Sequence, residues 1–71
     1  MSSQARMLTS LNVEELAEWC GGVSVVEHDA LDHGVTYAAL NVPTPQGVKR
    51  AREGNLIIQQ HDGSFEVFKS L

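Results

Sequence analysis

The stretch that decides the fold is LIIQQHDGSFEVFK, residues Leu56–Lys69. Runs of β-branched and aromatic residues flank Asp62-Gly63, a dipeptide typical of the type I′ turn that joins two antiparallel strands. Both central residues of that turn need a positive φ, which Asp tolerates and Gly adopts freely. We therefore predict a tight β-hairpin with a two-residue loop, in which Ile57 lies opposite Phe68.

This register divides the apolar side chains of the hairpin between two faces of a sheet. The set that faces the core, beneath a helix, comprises Leu56, Ile58, Phe65 and Val67. Ile57 and Phe68 would meet on the opposite face, where an aromatic and a β-branched side chain need a cover. The cover is either the segment from residue 44 to 50 or the surface of a dimer or another partner; the third alternative is that the pair is simply exposed. Ile57 and Phe68 are therefore candidate partner-binding residues.

Before the hairpin, an amphipathic helix is predicted over Val13–Cys20. Asn12 is placed to cap it, with Glu15 three residues later to close a capping box, and Gly21 suits the left-handed residue that ends a helix. One face carries the apolar residues Val13, Leu16, Ala17 and Cys20. A helix this short is unstable alone, so its apolar face must pack on a sheet. Trp19, beside that face, either plugs the sheet edge or anchors a partner.

Two further strands are predicted between the helix and the hairpin. Residues Val23–His28 and Val35–Val42 are rich in β-branched residues and should pair antiparallel across a short polar loop. Pro43 would end the second strand, and Thr44–Arg50 would form one helical turn that starts at a proline.

These elements predict an α+β fold, in which one short N-terminal helix packs on a small four-stranded antiparallel sheet. An SH3-like small barrel is the alternative, because short strands and a tight hairpin suit it equally. Residues 1–8 are polar and without period, so we expect a disordered N-terminal tail followed by a single domain over residues 9–71.

The size and charge of the chain limit its partners. A 71-residue domain buries only roughly 60% of its unfolded surface, and Cys20, the single cysteine, cannot form an intramolecular disulfide. We therefore expect a homodimer. A net charge of −4 disfavours non-specific binding to nucleic acid or anionic lipid. The absence of a long apolar segment or a secretory signal, together with the unpaired cysteine, predicts a reducing cytoplasm and no membrane partner.

Three groups of residues invite a chemical interpretation. A metal could bind histidines and carboxylates at the predicted turns, namely His28, Asp29, Asp32 and His33 with His61-Asp62, but aspartate at a turn is usually a backbone partner. Cys20 lies near a helix C-terminus, where the dipole disfavours a thiolate, so structural burial is the simpler interpretation.

The third group is the basic cluster Lys49, Arg50 and Arg52. Three cations could contact phosphates and bind nucleic acid weakly and in a salt-dependent way. Glu53 adjoins the cluster and the rest of the chain is acidic, so a solvated turn is the simpler interpretation.

The chain resembles a family of small uncharacterised proteins of actinobacterial bacteriophages over residues 18–69. The residues that carry the resemblance are Trp19-Cys20-Gly21-Gly22, Val42-Pro43-Thr44, Gly47, Ala51, Gly54, Ile57-Ile58, Gly63-Ser64-Phe65 and Lys69. Gln59-Gln60 stands where that family usually has arginine-glycine. The resemblance implies a phage setting, in which the predicted reducing cytoplasm is that of the host, and it transfers no catalytic residue.

The expected function is that of a small phage accessory protein that acts by protein–protein interaction and modulates a host factor. Trp19, Ile57 and Phe68 are the candidate contact residues. The alternatives are a weak nucleic-acid-binding protein that uses Lys49, Arg50 and Arg52, and a minor structural component of the virion. No constellation typical of an enzyme or of a cofactor site is present in the sequence.

Overall fold

The computed structural model describes residues 3–28 and 34–69. Within these residues one helix and six strands follow the order β1 (Gln4–Met7), α1 (Val13–Cys20), β2 (Val23–His28), β3 (Thr36–Thr44), β4 (Gly47–Arg52), β5 (Leu56–Gln59) and β6 (Phe65–Phe68). The strands form two antiparallel sheets of three strands each, a terminal sheet with the order β1-β5-β6 and a central sheet with the order β2-β3-β4.

The predicted combination of one helix with antiparallel strands is confirmed, but the single four-stranded sheet is wrong. Two strands lie where no strand was predicted, one at the N-terminus and one after Thr44. The connection over Glu53 and Gly54 then carries the chain from the central sheet into the terminal sheet. The SH3-like small barrel stays a prediction.

The N-terminal segment is a strand where a disordered tail was predicted. Residues Gln4–Met7 pair with β5 along its whole length, and the following Leu8 is 0% exposed in the core. The Leu8 N–H donates to the carbonyl of Asn55 at 2.9 Å, and its carbonyl accepts from Gly54 at 2.9 Å. A short polar segment has no local pattern that reveals a partner about 50 residues away, because strand pairing is non-local. Residues 1 and 2 lie outside the described residues.

The helical turn predicted over Thr44–Arg50 is also wrong, because this segment forms a hairpin turn and β4. Pro45 and Gln46 make the turn. The Thr44 hydroxyl donates to the carbonyl of Gly47 at 2.6 Å and accepts from the N–H of Gln46 at 3.2 Å. The proline therefore begins a β-turn, for which its fixed φ is equally suited.

Pro43 does not end β3, which continues to Thr44. Pairing between β2 and β3 reaches only from His28 opposite Thr36 to Val23 opposite Asn41. Pro43 lies beyond that point, where no strand of the described residues pairs with that side of β3, so a missing N–H is tolerated. The antiparallel pairing of the two predicted strands is confirmed, although β3 begins at Thr36.

The predicted helix is confirmed with the bounds Val13–Cys20, and Gly21 ends it at φ 68° with its N–H donating to Ala17. Asn12 occupies the predicted N-cap position, but the predicted capping hydrogen bond is absent. The Asn12 side chain instead accepts from the N–H of Thr9 at 2.8 Å and donates to the carbonyl of Met7 at 2.9 Å. Asn12 therefore closes the connection between β1 and α1.

The C-terminal hairpin exists, but its register differs from the prediction by one residue. Ile57 lies opposite Val67, and Leu56 lies opposite Phe68. Among the described residues only glycines have a positive φ, which includes Gly63 at 88° but not Asp62. A type I′ turn needs a positive φ at both of its central residues, and Asp62 does not have one. The loop is therefore the three-residue kind that ends in a left-handed glycine.

The Asp62 side chain explains this choice of loop. Its carboxylate accepts from the N–H of Ser64 at 2.9 Å and from the Ser64 hydroxyl at 2.6 Å. The Gln60 N–H donates to the Ser64 carbonyl at 2.8 Å and closes the loop. Because a shift of one residue moves every side chain to the other face, the prediction that Ile57 and Phe68 share a face is wrong.

The core lies between the central sheet and a cover made of α1 and the terminal sheet. Leu40, Val42 and Ala51 on one face of the central sheet meet Leu16 of α1 and Ile57 of β5. Trp19, Phe65 and Val67 pack against this cluster. The opposite faces of both sheets are therefore the outer faces of the molecule.

Candidate protein-interaction site

The outer face of the terminal sheet is apolar across all three strands. Met7 of β1 lies opposite Leu56 of β5, which lies opposite Phe68 of β6. Because residues that lie opposite one another in antiparallel strands project to the same side, these side chains form one row. The next row on this face contains Ala5, Ile58 and Glu66. We call the apolar residues of both rows the terminal face: Ala5, Met7, Leu56, Ile58 and Phe68.

The terminal face is open at its two sides and partly shielded in the middle. Met7 is 49% exposed and Phe68 is 48% exposed, whereas Leu56 and Ile58 on the central strand are half-buried. Exposed apolar side chains are ordinary when scattered, but a continuous row marks an interaction surface more often than chance.

A polar rim borders the terminal face near the hairpin tip. An open groove of about 490 Å³ lies there, lined by Ser3, Ile58, Gln60, His61, Asp62 and Phe68. Hydrogen bonds from the Ser64 hydroxyl and then from its N–H hold the pKa of Asp62 below its ordinary value of 3.8. The rim therefore carries a carboxylate at neutral pH, beside a floor of aliphatic and aromatic side chains.

The predicted contact residues do not form one surface. Phe68 belongs to the terminal face, but Ile57 is 0% exposed in the core and cannot touch a partner. Trp19 lies on the inner side, where its ring packs edge-on against Phe65 with 5.0 Å between centroids. The Arg6 guanidinium lies 4.6 Å from the centroid of Trp19, so Trp19 is held between side chains of the same molecule.

Sequence reasoning missed four members of the terminal face. Ala5 and Met7 fall in the predicted disordered tail, and Leu56 and Ile58 fall in the predicted core. A three-residue loop is the next most common hairpin connection after the two-residue loop, and that register would have placed Leu56 and Phe68 together.

The basic cluster is divided between different surfaces by the alternation of β4. Lys49 pairs with Glu66 of β6 at 3.2 Å. Arg50 and Arg52 project to the outer face of the central sheet, where both bind Glu27 at 3.1 and 2.8 Å. The hydrogen bond from Arg52, reinforced by both positive charges, lowers the pKa of Glu27. The three cations therefore do not present one continuous basic surface to a phosphate backbone.

The predicted metal group is only partly within the described residues. Asp29, Asp32 and His33 lie outside them, and His28 is exposed at the end of β2. In residues 3–28 and 34–69, no group of three or more His, Cys, Asp or Glu side chains is placed to hold a metal ion. The Asp62 carboxylate at the other predicted position is occupied by Ser64.

Cys20 is buried, in agreement with the structural interpretation of this residue. Only 3% of it is exposed, and burial raises the pKa of its thiol. A protonated thiol in the core is a poor nucleophile.

Comparison of the chain with known protein families, with curated proteins and with solved structures gives no match. The resemblance to the phage protein family stays a prediction. Within the part of the chain that the structure describes, no helix is long and apolar enough to cross a membrane.

Proposed function

We propose that this protein acts by binding another protein through its terminal face. The observation that carries the proposal is the row Met7, Leu56 and Phe68, which runs from one side of the terminal sheet to the other. Its end residues are about half exposed, at 49% and 48%. An apolar row that spans a whole sheet is the kind of surface that a partner covers.

The energetics of burial support this use of the terminal face. Full burial of a Phe or Met side chain is worth about 1.5–3 kcal/mol relative to exposure. About half of each of the Met7 and Phe68 residues is exposed. A partner that covers them would therefore gain about half of that burial free energy from each side chain.

The charge of the chain supports a neutral or basic partner. The net charge is −4, and Asp62, whose carboxylate makes no ion pair within the described residues, lies beside the terminal face. A partner with an apolar centre and basic residues at its periphery would match both features.

The biological setting in this proposal comes from the sequence resemblance. The protein would be a phage accessory protein that modulates a host factor in the host cytoplasm. A minor role in the virion and weak nucleic-acid binding stay predictions. Nucleic-acid binding is not favoured, because Arg50 and Arg52 are already paired with Glu27.

The test is affinity capture from an actinobacterial lysate with three forms of the full chain: wild type, Phe68→Glu and Leu11→Glu. Leu11 is 97% exposed and lies outside the terminal face, so Leu11→Glu is a matched control for a charge placed at an exposed apolar residue. We expect a protein that is retained by wild type and Leu11→Glu and lost with Phe68→Glu. Thermal melting verifies that all three forms are folded.

Retention of the same proteins by wild type and Phe68→Glu would contradict the proposal. Loss of capture with both variants would also contradict it, because the effect would then come from charge alone. Mass spectrometry of purified virions separates a virion component from a protein that acts in the host cytoplasm.

A further inference from the structure

The outer strand of the central sheet has an unpaired backbone edge. All six residues of β2 pair with β3 in an unbroken register, and among the described residues no other strand pairs with β2. The N–H and C=O groups on its far side are therefore a template for another strand.

This edge lacks the devices that usually prevent strands from pairing between molecules. Proteins protect edges with lysine, proline, bulges or very short strands. β2 has the sequence Val-Ser-Val-Val-Glu-His and contains none of these. Its acidic residue, Glu27, has its carboxylate bound by Arg50 and Arg52 of its own chain, and both Val23 and Val26 are 63% exposed. The opposite edge strand, β4, carries three basic residues and is contacted by β6.

We propose that β2 pairs antiparallel with β2 of a second copy of this chain, so that two central sheets join into one sheet of six strands. A two-fold axis perpendicular to the sheet relates the copies and keeps each α1 on the same side. Opposite residues must then project to the same face, so the axis passes midway between the two copies of one residue. Val25 and Val26 are the two central residues of β2 and give the longest pairing.

Charge complementarity selects the register centred on Val26. On the side that carries α1, the Ser24 hydroxyl donates to the Glu14 carboxylate at 2.9 Å. The register centred on Val26 places His28 of the second copy opposite Ser24, so an imidazole N–H approaches that carboxylate at two symmetric positions. It also places the two exposed Val26 side chains against each other.

The register centred on Val25 has no such match. It places Ser24 opposite Val26 and Val23 opposite Glu27, whose carboxylate is occupied by two arginines of its own chain. The pairing through Val26 is independent of the terminal face, so it can hold whether or not the proposed function does.

Sedimentation velocity of the full chain over a concentration series tests the pairing. Val26→Lys adds a charge at the centre of the edge, and Val48→Lys is its matched control, because Val48 is 69% exposed on β4 of the same sheet. We expect wild type and Val48→Lys to dimerise and Val26→Lys to remain monomeric. A wild type that is monomeric throughout, or a Val26→Lys variant that dimerises as wild type does, would overturn the proposal.

Oxidative cross-linking tests the register without relying on loss of binding. Cα atoms of opposite residues in antiparallel strands are about 4.5–5.5 Å apart, within the range of a disulfide. Val26→Cys should give a covalent dimer and Val48→Cys should not, while the buried Cys20 is common to both. Absence of a Val26→Cys dimer, or equal cross-linking of the two variants, would overturn the register.

A charge exchange tests the predicted contact between copies. His28→Glu should weaken the dimer at least several-fold, and adding Glu14→Lys should restore much of the affinity. If His28→Glu leaves the dissociation constant unchanged, the contact is absent. If Phe68→Glu abolishes the dimer while Val26→Lys does not, the copies meet through the terminal face and the β2 pairing is wrong.

Discussion

On the outer face of the central sheet, charged side chains are paired across the strands, whereas on the outer face of the terminal sheet an apolar row crosses all three strands. Glu27 of β2 binds Arg50 and Arg52 of β4 over the strand between them. Met7 and Phe68 face solvent at corresponding positions of the terminal sheet. A face whose polar groups already have partners gains little from a cover, whereas an apolar face gains in proportion to the area covered.

The inner side of the terminal sheet gives the largest test of this comparison. Ile57→Ala should lower the free energy of unfolding by about 2–5 kcal/mol, because it leaves a cavity in the core. Phe68→Ala should cost less, because Phe68 is 48% exposed whereas Ile57 is 0% exposed. Urea denaturation followed by Trp19 fluorescence measures both. A larger loss for Phe68→Ala would mean that the two faces are assigned the wrong way round.

The loop of the C-terminal hairpin gives the next largest effect, because it sets which residues reach the terminal face. Gly63 has φ 88° and no atom near an added Cβ. Gly63→Ala should therefore cost about 1–2 kcal/mol from backbone strain alone. Asp62→Gly should not raise the free energy of unfolding, although glycine at this position would stabilise a type I′ turn. An Asp62→Gly variant that is more stable than wild type would favour the two-residue loop.

The ion pairs on the outer face of the central sheet predict that stability depends on pH, with an effect smaller than those of the core and loop substitutions. Arg52 and then Arg50 lower the pKa of Glu27 from its ordinary 4.5. The stabilisation is therefore fully present above about pH 4.5 and is lost as the pH falls through the lower pKa of the folded state. Glu27→Gln should lose this stabilisation at neutral pH and flatten the acid side of the stability profile.

The measurement is the urea midpoint as a function of pH at low and high salt, because salt screens exposed ion pairs. Glu53→Gln is the control, since Glu53 is exposed and makes no ion pair within the described residues. Equal profiles for Glu27→Gln and wild type would show that the charges on this face contribute nothing measurable.

The smallest effect on stability is expected from polar substitutions on the two outer faces, which a hydrophobic fluorescent dye can tell apart. Met7→Ser with Phe68→Ser should remove most dye binding, because these residues end one continuous row. Val23→Ser with Val48→Ser removes two apolar residues of the central sheet that are more exposed than Met7 and Phe68, and it should leave dye binding nearly unchanged because they do not form a continuous row. Equal losses from the two pairs would show that the terminal face is not a distinct apolar patch.

Several elements follow from local sequence because their signals lie within a few residues. The helix over Val13–Cys20 has an apolar stripe and a glycine at its end, and the strand over Val23–His28 is rich in β-branched residues. Hydrophobic period and glycine placement are sufficient for such elements, since each is encoded by its own residues.

The candidate site could be predicted only in part. Phe68 could be placed on an outer face, but its neighbours Met7 and Leu56 could not. The position of Met7 on this face depends on pairing with a strand that is distant in sequence. The position of Leu56 depends on the length of the hairpin loop. The predicted hairpin register places Ile57 on the surface, and the observed register differs by one residue, which reverses every face of the strand.

Local patterns were thus enough for the helix, for β2 and for the existence of a C-terminal hairpin at Asp62-Gly63. Long-range packing decided that the N-terminal residues complete the terminal sheet, that residues 47–52 form β4, and that Phe68 faces outward while Ile57 is buried. The physical reason is that a helix satisfies its backbone hydrogen bonds within itself, whereas a strand needs a partner elsewhere in the chain.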